Sequence, residues 1–391
     1  MIINAKMLLR SMYIAIALII RSLLHSRSCK NKRILLYGWY GTETLGDKLI
    51  LLGILKKLVV KRQPIVICSI NPNYTKTTLN ELTDLALEDD AKLIQKHVKV
   101  APEQQLIFLR EGDTLVFGGG PLMDDPRLLF WVMVNWLAKL RNCKRIIWGC
   151  GIGPLRIKIC SSLVRILMKM QSSIVLRPSL NLEETIGPKQ FEIALCPSFL
   201  CYSELREFSK EVHNQKAISV NLRYLPRSYV PKNCDPKRYS ELYLVGMARL
   251  LSLRFQKGNL KFFSTHELDW KSDSEAAKQV CNELGILSEC QTAISKVIKN
   301  IASSEIVIAT RYHGFVLGLL LGKRTIGVDY TPLGGKLSAL CHYLEAIDLS
   351  IPIENVINNT VELNLNSVKS LTITSAVSTS DIIYDRLLER L

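Results

Sequence analysis

From residue 33 onward, short apolar runs alternate with glycine-marked turns and with stretches whose apolar positions recur at helical spacing. Ile34-Leu35-Leu36-Tyr37 is continuously apolar and stops at Gly38, the pattern of a strand buried on both faces. A glycine-punctuated loop follows, and residues 48–59 place Leu51, Leu52, Leu55 and Leu58 at amphipathic spacing. A second strand is predicted over 64–69, ahead of a polar, irregular stretch through Asn71-Pro72-Asn73. Thr114-Leu115-Val116-Phe117 predicts a third strand, ending on Gly118-Gly119-Gly120. A helix over 128–140, a strand over 145–148 ending at Gly149, a helix over 156–170 and a strand over 173–176 complete the first half.

The same order returns after residue 216. Strands are predicted over 217–222, 261–264, 305–309 and 325–329, with helices over 235–251, 275–284 and 314–321. Strand, glycine turn and helix in alternation mark a parallel, doubly wound sheet, and ligands of such sheets bind outside the carboxyl ends of the strands. The expected fold class is therefore α/β, with two Rossmann-like domains facing a cleft, a GT-B-like architecture. Its parts are a basic, apolar segment over 1–32, a first domain over 33–205, a second over 215–375, and an amphipathic C-terminal helix over 380–391. The boundary is expected in the polar interval 203–214.

The 391 residues are 48% hydrophobic and 22% charged, a globular composition that excludes an intrinsically disordered chain. The net charge of +16 is local: residues 1–33 hold seven Lys/Arg and residues 126–182 hold ten, and neither stretch has an Asp or Glu. Local basicity points to an anionic surface, whether a membrane leaflet, a nucleic acid or a polyanionic substrate; a solvated basic face is the plainer account. The 11 cysteines include no CxxC pair and several sit in apolar runs. They read as buried thiols in a reducing compartment rather than as zinc ligands.

The apolar run over 11–20, flanked by Arg10 and Arg21, is too short to span a bilayer, which takes about 20 helical residues. It fits an interfacial helix with basic ends, or an ordinary helix packed on the body. The helix over 156–170 has the same two readings. Lys158, Arg165 and Lys169 fall within about 40° of each other at helical spacing, beside an apolar stripe that faces either the core or a membrane.

The strongest chemical signal is the strand over 305–309 running into Thr310-Arg311-Tyr312-His313-Gly314. A helix N-terminus offers free N–H groups and partial positive charge to an anion. Arg311 adds a fork suited to carboxylate or phosphate, and His313 a proton that moves near neutral pH. A structural ion pair for Arg311 and a capping role for His313 are the alternatives. Arg177 and Arg223 also follow strands predicted to be buried, and are further anion candidates or surface arginines. Gly41, Gly119 and Gly120 let backbone approach a ligand or simply form tight turns. Asp124 suits a metal or a helix cap, and Asp47 a cap or an acceptor-side base. Gly38-x-x-Gly41-x-x-x-x-Gly46 departs from the dinucleotide-binding spacing, so no nicotinamide site is inferred.

Taken in order, Tyr37-Gly38-Trp39-Tyr40-Gly41 with Leu45-Gly46-Asp47, Phe117-Gly118-Gly119-Gly120-Pro121-Leu122-Met123-Asp124, Trp148-Gly149-Cys150-Gly151-Ile152-Gly153-Pro154-Leu155, and Thr310-Arg311-Tyr312-His313-Gly314 with Gly327-Val328-Asp329-Tyr330 resemble the motifs of the polysaccharide pyruvyl transferase family. The resemblance spans about residues 33–345. It departs at Thr44 and Lys48, where the family has Asn and Glu, at Pro178, and at Lys336, which lies further along than the family's lysine.

The resemblance implies transfer of an enolpyruvate unit from phosphoenolpyruvate, the donor substrate, to a sugar, usually as a cyclic ketal, with no cofactor or metal. It implies His313 as general acid and Arg311 and Arg223 as donor-binding cations, with Arg177 as a third, and it adds Lys336 and Gly314 to the donor side. Gly41, Asp47, Gly119, Gly120 and Asp124 fall on the acceptor side. It further implies a lipid-linked saccharide acceptor and a cytoplasmic location, peripheral on the inner face of the plasma membrane. A nucleotide-sugar glycosyltransferase is the alternative enzyme, and a basic membrane- or nucleic-acid-binding protein the non-enzymatic one. No nucleic-acid motif is present, so no nucleic-acid partner is expected.

Overall fold

The protein is described by a computed structural model over residues 32–153, 155–179, 182, 190–210, 216–225, 227–231, 233–267, 272–331, 335–361 and 370–391. The expected interfacial helix within 1–32, up to residue 31, and Pro154 of the third motif lie outside the described residues. Contact clustering divides the chain into two compact units. Of the described residues, those within 32–43, 47–198 and 378–391 form the first, and those within 44–46 and 199–377 the second.

In the first unit, β1 (Ile34–Tyr37), β2 (Ile65–Ser69), β3 (Val98–Pro102), β4 (Thr114–Gly118), β5 (Pro121–Leu122), β6 (Lys144–Ile152), β7 (Ser173–Leu176) and β8 (Glu192–Ile193) pair in the order β3-β2-β1-β4-β6-β7-β8, with β5 also on β6. Every pairing is parallel. The helices are α1 (Leu45–Val59), α2 (Pro72–Thr83), α3 (Glu88–His97), α4 (Arg127–Leu140) and α5 (Lys158–Met170). All four residues of β1 are fully buried, which is why this strand is an unbroken apolar run.

The stretch expected to be irregular after Ser69 is instead α2. Asn71 is its N-cap, accepting from the Tyr74 N–H at 3.3 Å, and Pro72 stands at the first helical position. A dipeptide that reads as a turn here starts a helix, because Pro loses no hydrogen bond there. One face of the sheet, Leu35, Tyr37, Leu115, Phe117 and Ile147, packs on α4 and α5 through Trp131, Leu137, Val164 and Leu167.

The second unit follows the same plan. After α6 (Tyr202–Lys210) come β9 (Ala217–Asn221), α7 (Pro236–Arg254), β10 (Leu260–Phe263), α8 (Asp273–Leu284), β11 (Cys290–Gln291), α9 (Ile294–Ala302), β12 (Ser304–Ala309), α10 (Tyr312–Leu320), β13 (Arg324–Asp329), α11 (Lys336–Tyr343), β14 (Ser350–Pro352) and α12 (Ile353–Ile357). The sheet order is β11-β10-β9-β12-β13-β14, again all parallel. The passage between units lies at 198/199 rather than in the expected 203–214 interval, because α6 packs on α9 and α10.

The terminal helix, α13 (Thr374–Glu389), is longer than expected. From residue 378 it belongs with the first unit. Tyr384 stacks on Trp148 at 5.7 Å, and its hydroxyl donates to the Leu195 carbonyl at 2.8 Å. The fold class is α/β with two Rossmann-like, parallel-sheet domains. Among the described residues no helix is long and apolar enough to cross a membrane.

Candidate active site

Strand order sets the location. In the second sheet the order reverses direction between β9 and β12, which are neighbours. At such a switch point the loops leaving the two strands diverge and open a crevice at their carboxyl ends. Asn221 pairs with Ala309 in the β9–β12 register. Arg223 and Arg311 each lie two residues beyond that pair, so the ladder delivers both guanidinium groups to the crevice.

Arg311 is the N-cap residue of α10. Its backbone N–H donates to Asn221 Oδ1 at 3.1 Å, and its Nε and Nη2 reach Asp273 Oδ1 at 2.8 and 2.7 Å. Asp273, at the start of α8, is fully buried. Its other oxygen accepts from Asn221 Nδ2, the Thr265 N–H and the Thr265 hydroxyl at 3.1, 3.0 and 3.2 Å. One edge of the Arg311 fork is thereby fixed, leaving Nη1 outside this pair. Burial and the nearby Arg223 charge push the Arg311 pKa down, and Asp273 opposes them.

Arg223 is almost buried. It donates to the Tyr330 hydroxyl at 2.6 Å and stacks over the Tyr330 ring at 4.6 Å, with Tyr229 on the other ring's edge. Beneath the arginines, the Tyr243 and Thr310 hydroxyls meet at 2.6 Å, and Thr310 also donates to the Asn221 carbonyl at 3.0 Å. Burial raises the Tyr243 pKa, so this phenol stays neutral and acts as a support.

His313 is partly exposed in the first turn of α10, edge-on to Tyr312 with ring centroids 5.1 Å apart. Gly46, which clusters with the second unit, leaves room for this ring: a side chain there would run into the His313 imidazole. Gly314 packs so closely on the sheet that a Cβ would sit 3.1 Å from Asn221 Oδ1. Lys336 opens α11, whose first turn is held by Asp329, accepting from the Gly335 and Ser338 N–H groups at 3.1 and 3.0 Å. Arg223, Arg311, His313, Gly314 and Lys336 thus share the second unit.

The other candidates belong to the first unit. Arg177 is buried rather than a surface arginine. Its Nη1 is 3.6 Å from Cys196 Sγ, and it fills the space beside Gly151. Asp124 accepts from the backbone N–H groups of Arg156 and Ile157 at 2.9 and 3.3 Å, while Asp125 pairs with Arg127. The cap expected at this acidic pair is divided: Asp125 accepts the Arg127 backbone N–H at the start of α4 at 2.7 Å, while Asp124 holds the loop ahead of α5. Gly119 and Gly120 have left-handed backbone, and a side chain at Gly120 would collide with the Trp39 ring. Gly41 donates to the buried Glu43 carboxylate at 2.9 Å, and Asp47 lies in the first turn of α1. Burial raises the Glu43 pKa, against the lowering effect of its Thr75 and Gly41 hydrogen bonds.

Asp273, Asn221 and Glu43 are absent from the residues singled out by sequence. Ser272-Asp273 before a helical pattern signals a cap, and Ser272 does cap α8, accepting from the Glu275 N–H at 3.2 Å. That signal conceals the carboxylate beside it.

Two Rossmann-like domains, one with a pair of arginines and a histidine at the switch point of its sheet, are the setting in which the family of this chain is read. The family model for polysaccharide pyruvyl transferase matches residues 45–332, and the chain belongs to that family of transferases. No curated protein matches the chain in sequence. Among solved structures it is similar in fold to UDP-GlcNAc 2-epimerase from Neisseria meningitidis bound to UDP-GlcNAc, with TM-score 0.53 and 10% identity over 92% of this chain and 100% of that one. A putative UDP-N-acetylglucosamine 2-epimerase from Listeria monocytogenes gives TM-score 0.51 and 10% identity over 92% and 98%. The UDP-GlcNAc 2-epimerase of Methanocaldococcus jannaschii in complex with UDP-GlcNAc and UDP gives 0.50 and 12% over 92% and 100%.

Proposed function

We propose that the protein transfers the enolpyruvyl unit of phosphoenolpyruvate to two hydroxyls of one sugar, closing a cyclic ketal on a cell-surface polysaccharide or its lipid-linked precursor. The observation that supports this reading most is the pair Arg223 and Arg311, brought side by side by the β9–β12 register. Phosphoenolpyruvate carries a phosphate and a carboxylate on one carbon, and two guanidinium groups at one crevice match that charge.

His313 protonates the methylene carbon, which becomes the methyl group, and positive charge develops at the neighbouring carbon. One sugar oxygen bonds to that carbon as its proton departs. The C–O bond to phosphate then breaks, and the second sugar oxygen completes the ketal. One hydroxyl proton replaces the one His313 gave, and the other leaves with phosphate. Arg223 and Arg311 offset the charge that grows on the leaving phosphate. The glycine loops of the first unit are assigned to the acceptor, and a lipid-linked acceptor sets the reaction at the inner face of the plasma membrane.

Purified protein incubated with phosphoenolpyruvate and a panel of aryl and lipid-linked glycosides tests the reading. Mass spectrometry is expected to show a sugar gaining a pyruvate less one water, with phosphate released in equal amount. Nucleotide release from a nucleotide sugar, with no dependence on phosphoenolpyruvate, would replace it with a glycosyltransferase.

A further inference from the structure

α4 and α5 lie side by side, both seated on the same face of the first sheet and packed on each other. Their outer surfaces are apolar where a solvated helix face is polar. Trp136 and Leu140 of α4 are 49% and 53% exposed, and Ile159 and Ile166 of α5 are 60% and 46% exposed. At helical spacing Trp136 and Leu140 fall within about 40° of each other, and Ile159 and Ile166 within about 20°, so each helix carries a stripe rather than scattered side chains. Lys158, Arg165 and Lys169 are exposed beside the α5 stripe, and Lys139 is exposed on α4. From 126 to 182 the sequence has ten Lys/Arg and no Asp or Glu, so neither helix carries an acidic residue of its own.

We propose that the α4–α5 face docks the protein on an anionic lipid bilayer. An interfacial tryptophan, exposed isoleucines at helical spacing and an all-basic border are what such a surface requires: the apolar side chains enter the acyl boundary while the cations meet acidic headgroups. The charge argues against other occupants. A second copy docked by the same face would set like charges against each other. Residues 1–33, with seven Lys/Arg and no acid, have the same sign as the face. A nucleic acid would match the cations but leave Ile159, Ile166 and Leu140 uncovered by any stacking surface. The proposal stands apart from the transfer chemistry, since membrane binding is read without substrates.

Flotation of the full-length protein with phosphatidylcholine vesicles, with and without phosphatidylglycerol, tests it. Binding is expected only to vesicles holding phosphatidylglycerol, and it weakens as salt rises. Ile159→Ser with Ile166→Ser, and separately Lys158→Glu, are each expected to lower the partition coefficient about tenfold or more. Near-UV circular dichroism confirms that the variants stay folded, as substitutions at exposed positions allow. Brominated lipid is expected to quench tryptophan fluorescence in the wild type, with the quenching reduced in Trp136→Phe. Vesicle binding unchanged in both surface variants would overturn the proposal. So would equal binding to neutral vesicles, retention on RNA in place of vesicles, or a wild-type dimer that the isoleucine variants dissociate.

Discussion

Asp273 grips Arg311 along one edge of its guanidinium, through Nε at 2.8 Å and Nη2 at 2.7 Å, from a position with no solvent exposure. The carboxylate is itself held by Asn221 and Thr265. Asn221 also accepts the Arg311 backbone N–H, so the same two side chains fix both the stem and the fork of the arginine. A flexible, rotamer-rich cation is converted into a rigid one, and the ordering of its side chain is met by folding.

Asp273→Asn keeps the shape but places N–H groups against the Arg311 fork or the Thr265 amide. On the proposed reading Asp273 positions Arg311, so the expected result is a KM for phosphoenolpyruvate raised about tenfold or more with a smaller change in kcat. Steady-state kinetics on the folded variant reads the split. A loss confined to kcat would contradict the positioning role.

Arg311→Lys and Arg223→Lys retain the charge and lose the planar fork. Arg223→Lys also loses the stack over Tyr330. Each is expected to lower kcat/KM about tenfold or more, because a point charge does not reproduce bidentate or stacked recognition. If lysine at 311 supports wild-type kcat/KM, the fork has no part in binding.

His313→Ala is expected to lower kcat by about 10²–10⁴-fold, the usual contribution of a positioned acid, with the donor KM little changed. The protein should keep its melting temperature, since His313 is partly exposed. Wild-type turnover in this variant would remove the acid role.

What was legible in sequence divides along physical lines. Strand β1 and residues 306–309 of β12 are buried on both faces, so unbroken apolar runs announce them. β3 is half exposed at the sheet edge and includes Lys99, and it escapes that pattern. Arg311 and His313 stand out in the sequence because strand end and helix start are adjacent in the chain. That Arg223 belongs beside Arg311 depends on which strands pair and in what register, and Asn221 and Ala309 are 88 residues apart. Asp273 contributes from 38 residues away in the chain from Arg311, from the start of a helix that looks only like a capped one. Local pattern reports elements; long-range pairing assembles the site.

Glu43 gives a pH-dependent prediction. Its carboxyl is buried and its pKa is raised above the ordinary value of 4.5. Between that value and the higher folded value the native state holds a proton that the unfolded chain has released. Stability from this group is therefore present at low pH and falls as pH rises through that window. Glu43→Gln removes the titration. Relative to wild type, its melting temperature is expected to improve as pH rises above the ordinary carboxyl value of 4.5. A wild-type minus variant difference that is flat with pH would show that Glu43 does not titrate there.

The terminal helix offers two kinds of attachment to the first unit, and their sizes differ. Lys57 pairs with Asp381 and Asp385 at 2.7 and 2.6 Å, but both carboxylates are about half exposed. Water and salt screen such pairs, which contribute roughly 0–1 kcal/mol. Tyr384 is fully buried, stacked on Trp148 and hydrogen-bonded to Leu195. Its removal leaves a cavity and an unpaired carbonyl, at a cost of about 3–5 kcal/mol. Tyr384→Ala should therefore destabilise far more than Lys57→Ala. A chain of two units need not unfold in one step, so denaturation followed by Trp148 fluorescence, which reports the first unit, is the measurement that separates them. Equal losses in the two variants would mean that the helix is held by its surface charges, contrary to the packing seen around Tyr384.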